Sequence, residues 1–157
     1  MTDVLSKKQR HLCMSQIKGK DTSPEIIIRK ALFSLGYRYR LHDAKLPGKP
    51  DLVLPKYNAI ININGCFWHQ HRCHLFKWPS SKVEFWRRKL TENKKRDRKN
   101  YKLLKDQGWY ILTIWECALK GKKKLDLIDI TEDIVKWLEF ETGDKVIKGM
   151  SKTYSIL

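Results

Sequence analysis

Two apolar segments, Ala59–Asn64 ("AIININ") and Trp109–Trp115 ("WYILTIW"), are separated by a long, strongly basic run from about Val83 to Lys105. This arrangement limits the fold more than any other feature of the chain. Both segments have strand length and are rich in β-branched or aromatic residues, while the run between them has helix formers and closes at Gly108. Strand, long helix, strand is the order of a βαβ unit, and its crossover helix makes the two strands parallel. The expectation is an α/β protein with a small mixed central sheet flanked by helices on both faces. At 157 residues with 41% hydrophobic content, the chain fits one domain, residues 1–157, with a sizeable core.

The remaining elements follow from local signals. A basic helix is expected over about 6–19, starting after Ser6. A second helix is expected to use Ser23 as N-cap, Pro24 at its first position and Glu25 in its first turn, and to stop at Gly36 in a left-handed cap. "YRYRL" (Tyr37–Leu41) alternates like a half-buried strand, "DLVL" is a short strand beginning at Asp51, and "LDLIDITEDIVKWLEF" is an amphipathic final helix. The polar tail, about 143–157, is expected to be loose. No repeat, secretory leader or membrane span is visible, so the expected location is cytoplasmic, with no membrane partner.

Charge narrows the function. Lys and Arg number 33 against 17 Asp and Glu, a net +16. Such a surface attracts polyanions, nucleic acid foremost. Between Lys82 and Lys105 alone there are eleven Lys or Arg residues, and Lys94, Lys95, Arg96 and Arg98 are candidate phosphate contacts.

The segment "NGCFWHQHRCH" (Asn64–His74) concentrates soft and borderline donors. Cys66, His71 and Cys73 have spacings suited to tetrahedral zinc, with the fourth ligand open among Cys117, Cys13, His69 and His74. Asp51, after Pro50 at a strand start, is a candidate ligand for a hard divalent cation in phosphodiester cleavage. The usual companion, an acid and a lysine at (D/E)-x-K, is absent: Asn62, Ile63 and Asn64 stand there. A backbone carbonyl at Ile63 can ligate Mg²⁺ whatever its side chain. His69 can act as a base toward water, and Glu25 can add a second carboxylate.

Taken together, "IKGKDTSPE" (Ile17–Glu25), "PGKPDLVLP" (Pro47–Pro55), "NGCFWHQHRC" (Asn64–Cys73), "FW" (Phe85, Trp86), "RD" (Arg96, Asp97), "GW" (Gly108, Trp109) and "WECAL" (Trp115–Leu119) resemble the very-short-patch repair (Vsr) DNA mismatch endonucleases. The resemblance implies a restriction-endonuclease-like fold with one structural Zn²⁺ on Cys66, His71, Cys73 and Cys117. It implies catalysis by Asp51, His69 and Glu25 with Mg²⁺, two ions, held at Asp51 and the Ile63 carbonyl. Phe67, Trp68 and Trp86, with Met14 from the minor-groove side, would intercalate beside the mismatch, and Asn64 would contact DNA. Many relatives carry histidine where this chain has Asn64, which cannot shuttle a proton.

The implied substrate is double-stranded DNA with a T·G mismatch from 5-methylcytosine deamination, nicked 5′ to the T by a monomer. A functional link to a DNA cytosine-5 methyltransferase and to mismatch-repair proteins is implied too. Two rivals share these residues: a restriction or mobile-element endonuclease of the same fold, and a non-catalytic zinc-stabilised DNA-binding module.

Overall fold

The computed structural model describes residues 5–17 and 19–150. Helix α1 (Lys7–Ser15) opens with a capping box in which Ser6 Oγ accepts from Gln9 N–H while the Gln9 side chain accepts from Ser6 N–H. It buries no residue. Helix α2 (Ser23–Ser34) starts one residue earlier than expected, with Thr22 as N-cap and Ser23 inside. Glu25 is the reason: its carboxylate accepts from Asp21 N–H (3.0 Å) and from the Thr22 hydroxyl (3.1 Å), and so ties the residues before the helix to its first turn. Gly36 ends it with φ +92°, the left-handed cap read from the sequence.

Strands β1 (Arg40–Leu41), β2 (Leu52–Leu54), β3 (Ala59–Asn64), β4 (Tyr110–Trp115) and β5 (Lys145–Ile147) form one sheet in the order 1-2-3-4-5. β1–β2 and β2–β3 are antiparallel, and β3–β4 and β4–β5 are parallel. Helix α3 (Val83–Asp106) is the crossover from β3 to β4, and α4 (Leu127–Phe140) the crossover from β4 to β5. "YRYRL" is a strand only at its last two residues, because β2 offers just Leu52 and Val53 as partners. Tyr37 and Tyr39 pack against the core instead.

The alternation of each strand splits the core in two. Leu52, Leu54, Ala59, Ile61, Ile63, Leu112 and Ile114 meet α2 and α4 through Ile28, Leu32, Ile130, Ile134 and Trp137. Val53, Ile60 and Ile111 meet Leu104 of α3 on the opposite face. Helices thus cover both faces. On the α3 face the apolar layer gives way to Asn62 and Asn64 toward the end of β3, since successive strand residues alternate sides.

The loose tail is a correction for residues 143–150; 151–157 lie outside the described residues. Ile147 is buried against β4, and Asp144 and Lys145 both have specific partners. Asp144 accepts from Lys105 Nζ (2.9 Å), Ile111 N–H (2.9 Å) and the Tyr101 hydroxyl, and Lys145 pairs with Asp133 and Glu141. A composition that reads as solvated is held by specific partners far away in sequence.

Candidate active site and metal centre

Cys66, His71 and Cys73 lie in the loop after β3, and Cys117 lies in a short 3-10 turn (Glu116–Ala118) after β4. Because β3 and β4 are parallel neighbours, their C-terminal ends deliver these segments to one place. The four ligand atoms all lie within 4.8 Å of one another, with His71 Nδ1 3.5 Å from Cys66 Sγ and 3.6 Å from Cys117 Sγ. The neighbours orient the donors. The His71 ring stacks on Trp115 at 4.1 Å, Glu116 accepts from Cys66 N–H, and the Gly149 and Leu75 N–H groups donate to Cys117 and Cys73 sulfurs.

Burial pushes the Cys66 and Cys117 thiols up and His71 down, so each donor favours its uncharged form in the absence of a counter-charge. Three thiols and an imidazole converging this closely fit a tetrahedral dication such as zinc. Of the other fourth-ligand candidates, Cys13 is exposed on α1 and His69 is engaged elsewhere. His74 turns its ring toward Gly121, where an added Cβ would meet Nε2 at 2.6 Å.

Phe67 and Trp68 sit between the first two donors. Their rings, with Trp86 of α3, form one group at centroid separations of 5.2, 5.3 and 5.9 Å, and none of the three joins the two core clusters. Helical-turn bonds from His69 N–H to the Gly65 carbonyl and from His71 N–H to the Cys66 carbonyl fold the loop tightly, and Asn93 of α3 donates to the Trp68 carbonyl. Met14 is a different matter. It stands 40% exposed on α1, outside this group.

Asp51 stands immediately before β2. Its Oδ2 accepts from Ile63 N–H at 2.7 Å. In a strand the N–H and C=O of one residue share an edge, so the Ile63 carbonyl lies on the Asp51 side, past the last β2–β3 pair at Leu52–Ile61. Burial pushes the Asp51 carboxyl up to about 6; the Ile63 hydrogen bond opposes this and the charge of Glu25 adds to it. A largely buried carboxylate beside a backbone carbonyl on the same edge fits a hard divalent cation.

Glu25 is 2% exposed and reaches the same region from the first turn of α2. It does so among residues the sequence reading passed over. Arg29 donates to Glu25 (2.9 Å) and Asp21 (2.7 Å), and His42 Nδ1 lies 3.7 Å from Asp51 Oδ1. The guanidinium holds the Asp21 carboxyl below the usual carboxylate range.

His69, read from the sequence as a base toward water, has its Nδ1 2.5 Å from Asp97 Oδ2 of α3. The "RD" pair (Arg96, Asp97) does not by itself assign Asp97 a role. Helical spacing was the available signal: Leu90, Asn93, Asp97 and Leu104 recur at intervals compatible with one face, and Leu90 and Leu104 are buried. Asn100 belongs to that face, since a Cβ on Gly48 (φ +75°) would meet its Nδ2 at 2.8 Å. Lys95, Arg96 and Arg98 are exposed on the rest of the helix, and Lys94 is half-buried.

Residues 2–75 match the family model described as "DNA mismatch endonuclease Vsr". The DNA mismatch endonuclease Vsr of Escherichia coli (strain K12) is 41% identical over 138 residues, 88% of each chain. The type II nicking enzyme V.NmeAIP of Neisseria meningitidis is 43% identical over 122 residues, 78% of this chain and 87% of the relative. V.XorIIP of Xanthomonas oryzae pv. oryzae, also a type II nicking enzyme, is 40% identical over 126 residues, 80% of this chain and 93% of the relative. Likeness of that extent, on a chain whose metal-type donors and carboxylates converge as described, means that this protein belongs to the Vsr family of DNA mismatch endonucleases and is a DNA endonuclease.

Proposed function

We propose that this endonuclease nicks one strand of double-stranded DNA 5′ to the thymine of a T·G mismatch, using Mg²⁺ at Asp51 and an aromatic wedge stiffened by zinc. One observation carries the reading. A single eight-residue loop, Cys66–Cys73, contains three of the four clustered metal donors, two rings of the aromatic group and the imidazole paired with Asp97. Separating base pairs costs a few kcal/mol, and flat side chains recover much of that by stacking. A wedge on a loop free to bend would lose its purchase. Ligands on both sides of Phe67 and Trp68 make the loop rigid, and Trp86 backs it from α3. Met14 enters from the minor-groove side.

The chemistry follows from the pairing of His69. Asp97 accepts from His69 Nδ1–H, which leaves the lone pair on Nε2. Nε2 takes a proton from the attacking water as its oxygen bonds to phosphorus; the P–O3′ bond breaks and a solvent water protonates the departing O3′, giving a 5′-phosphate and a 3′-hydroxyl. The Asp51 carboxylate and Ile63 carbonyl would hold Mg²⁺, which when bound offsets the charge on the phosphate oxygens. Glu25 supports the site from α2, and Asn64 hydrogen-bonds a phosphate oxygen. Lys94, Lys95, Arg96 and Arg98 position the duplex without reading its sequence.

The protein works as a monomer in the cytoplasm. T·G pairs from deaminated 5-methylcytosine link it to a cytosine-5 methyltransferase and to mismatch-repair proteins. Relatives named as nicking enzymes support cleavage of one strand.

The test is a nicking assay on a labelled duplex with one T·G mismatch beside its T·A control, in Mg²⁺ and in EDTA, across varied flanking bases. The expected result is one Mg²⁺-dependent nick 5′ to the T, lost in Asp51→Ala. Cleavage of both strands of matched DNA would assign a restriction or mobile-element duty instead.

A further inference from the structure

A second set of metal-type side chains adjoins Asp51. The ligand atoms of Asp21, Glu25 and His42 lie within 4.8 Å of one another. In a nuclease whose resemblance implies two divalent ions, this set is the obvious second seat. It already contains a cation. Arg29 Nη1 donates to Asp21 Oδ1 at 2.7 Å, and Arg29 Nη2 donates to Glu25 Oε2 at 2.9 Å and lies 2.9 Å from His42 Nε2.

We propose that the Arg29 guanidinium takes the cation position of the Asp21–Glu25–His42 set, so that divalent metal is held by Asp51 and not by these three residues. This rests on the nuclease reading above.

Three observations carry it. First, Glu25 has little coordinating capacity left. Oε2 accepts from both Arg29 and Asp21 N–H, Oε1 accepts from the Thr22 hydroxyl, and the residue is almost fully buried. A metal entering there must displace a guanidinium that is itself only 12% exposed, leaving a buried positive charge unpaired. Second, a guanidinium only donates, so His42 Nε2 is the acceptor in that contact and the ring proton sits on Nδ1. The Nδ1–H then faces Asp51 Oδ1 at 3.7 Å, and the Nε2 lone pair that a metal would need is already committed. Third, Asp21 (φ +56°) and His42 (φ +46°) both hold left-handed backbone, which non-glycine residues adopt only where their surroundings fix them. Arg29 touches both, and ties two otherwise unfavourable turns to α2.

Arg29 is therefore a positioning residue. It fixes Glu25 and the His42 tautomer, and through His42 it sets what Asp51 Oδ1 faces. It also brings positive charge into a site where Asn62 and Asn64 replace the acid and lysine of the (D/E)-x-K pattern.

The experiment locates Mn²⁺ by its anomalous scattering in crystals of the zinc-loaded full chain bound to a T·G duplex. The expected map has manganese held by Asp51, whatever phosphate oxygens complete its shell, and an intact Arg29 fork on Asp21 and Glu25. Manganese ligated by Asp21, Glu25 or His42 overturns the inference while leaving the nuclease reading intact. No manganese at Asp51, together with no nicking in Mg²⁺, overturns the nuclease reading and the inference with it. In Arg29→Met a new manganese peak is expected on Glu25, and in Arg29→Lys none. If Arg29→Met does not fold, the wild-type map alone decides.

Discussion

Two clusters of ligand-type side chains serve this molecule, and they differ in how their charge is balanced. Among the described residues, no cationic side chain hydrogen-bonds a ligand atom of Cys66, His71, Cys73 or Cys117, and burial pushes the Cys66 and Cys117 thiols up. Asp21, Glu25 and His42 surround the guanidinium of Arg29. On the reading proposed above, the first cluster takes an ion to balance its donors, whereas the second is balanced as folded. Similar groupings of donors thus have opposite needs, and the deciding question is whether the chain supplies its own counter-charge.

Stripping metal should break this contrast most visibly. Chelation, or Cys117→Ala, should cost more than about 3 kcal/mol and lower Tm by more than ~10 °C, since zinc binding is folding energy in such loops. Asp21→Asn, which weakens one exposed arm of the other cluster, should leave Tm nearly unchanged. Thermal melts with zinc content measured in parallel check both. An unchanged Tm in verified zinc-free protein would show that the Cys/His cluster is self-sufficient after all.

Asp51 belongs to neither cluster, and its burial makes it sensitive to pH. In metal-free protein its carboxyl titrates near 6, against an ordinary 3.8 in the unfolded chain. The folded state holds this proton more tightly, so the contribution is fully present below the unfolded value and is lost as pH rises toward about 6. Its size is about 3 kcal/mol at most. Asp51→Asn should flatten this part of the stability curve, seen in urea melts at several pH values in EDTA, and should lower nicking by about 10³-fold or more in Mg²⁺. A stability curve that keeps its slope in Asp51→Asn would assign the titration to another group.

The His69–Asp97 pair gives a smaller, sharper test. Asp97→Asn should lower the single-turnover nicking rate by about 10²-fold, and His69→Ala by 10²- to 10⁴-fold. The double variant should fall no further than His69→Ala, because residues acting as a unit are not additive. Independent, multiplying losses would mean that Asp97 acts elsewhere, for instance on the pose of α3.

These residues also mark how much the sequence disclosed. The βαβ unit was legible because its signals are local: apolar runs of strand length, and a basic helix between them closed by Gly108. The Cys/His set was legible as residue types, yet spacing left its fourth member open. Cys117 joins it only because β3 and β4 are parallel neighbours, a fact of sheet order. Arg29 and His42 lie 13 residues apart on α2 and after β1, and nothing in either neighbourhood announces their contact. β5 was missed for the same reason. Lys145 and Asp144 read as solvent-facing until Asp133, Glu141, Lys105 and Tyr101 are seen to meet them. Periodicity records which face a residue takes, whereas polar partners distant in sequence must be found in the fold.

The smallest expected effects lie on the outer side of α3, and they separate positioning from chemistry. Lys95 and Arg98 are exposed, while Asp97 between them turns to His69. With about six phosphate contacts, the log–log salt slope of duplex binding should be roughly −5, and each removed contact should reduce it by about 0.9. Lys95→Ala and Arg98→Ala should therefore weaken T·G and T·A duplexes alike and leave the single-turnover rate at saturating protein nearly unchanged. Fluorescence anisotropy across a salt series measures the slope. If Lys95→Ala instead lowered the saturated rate without changing the slope, the outer face of α3 would be part of the catalytic apparatus, and the division of that helix into an inward catalytic side and an outward docking side would fail.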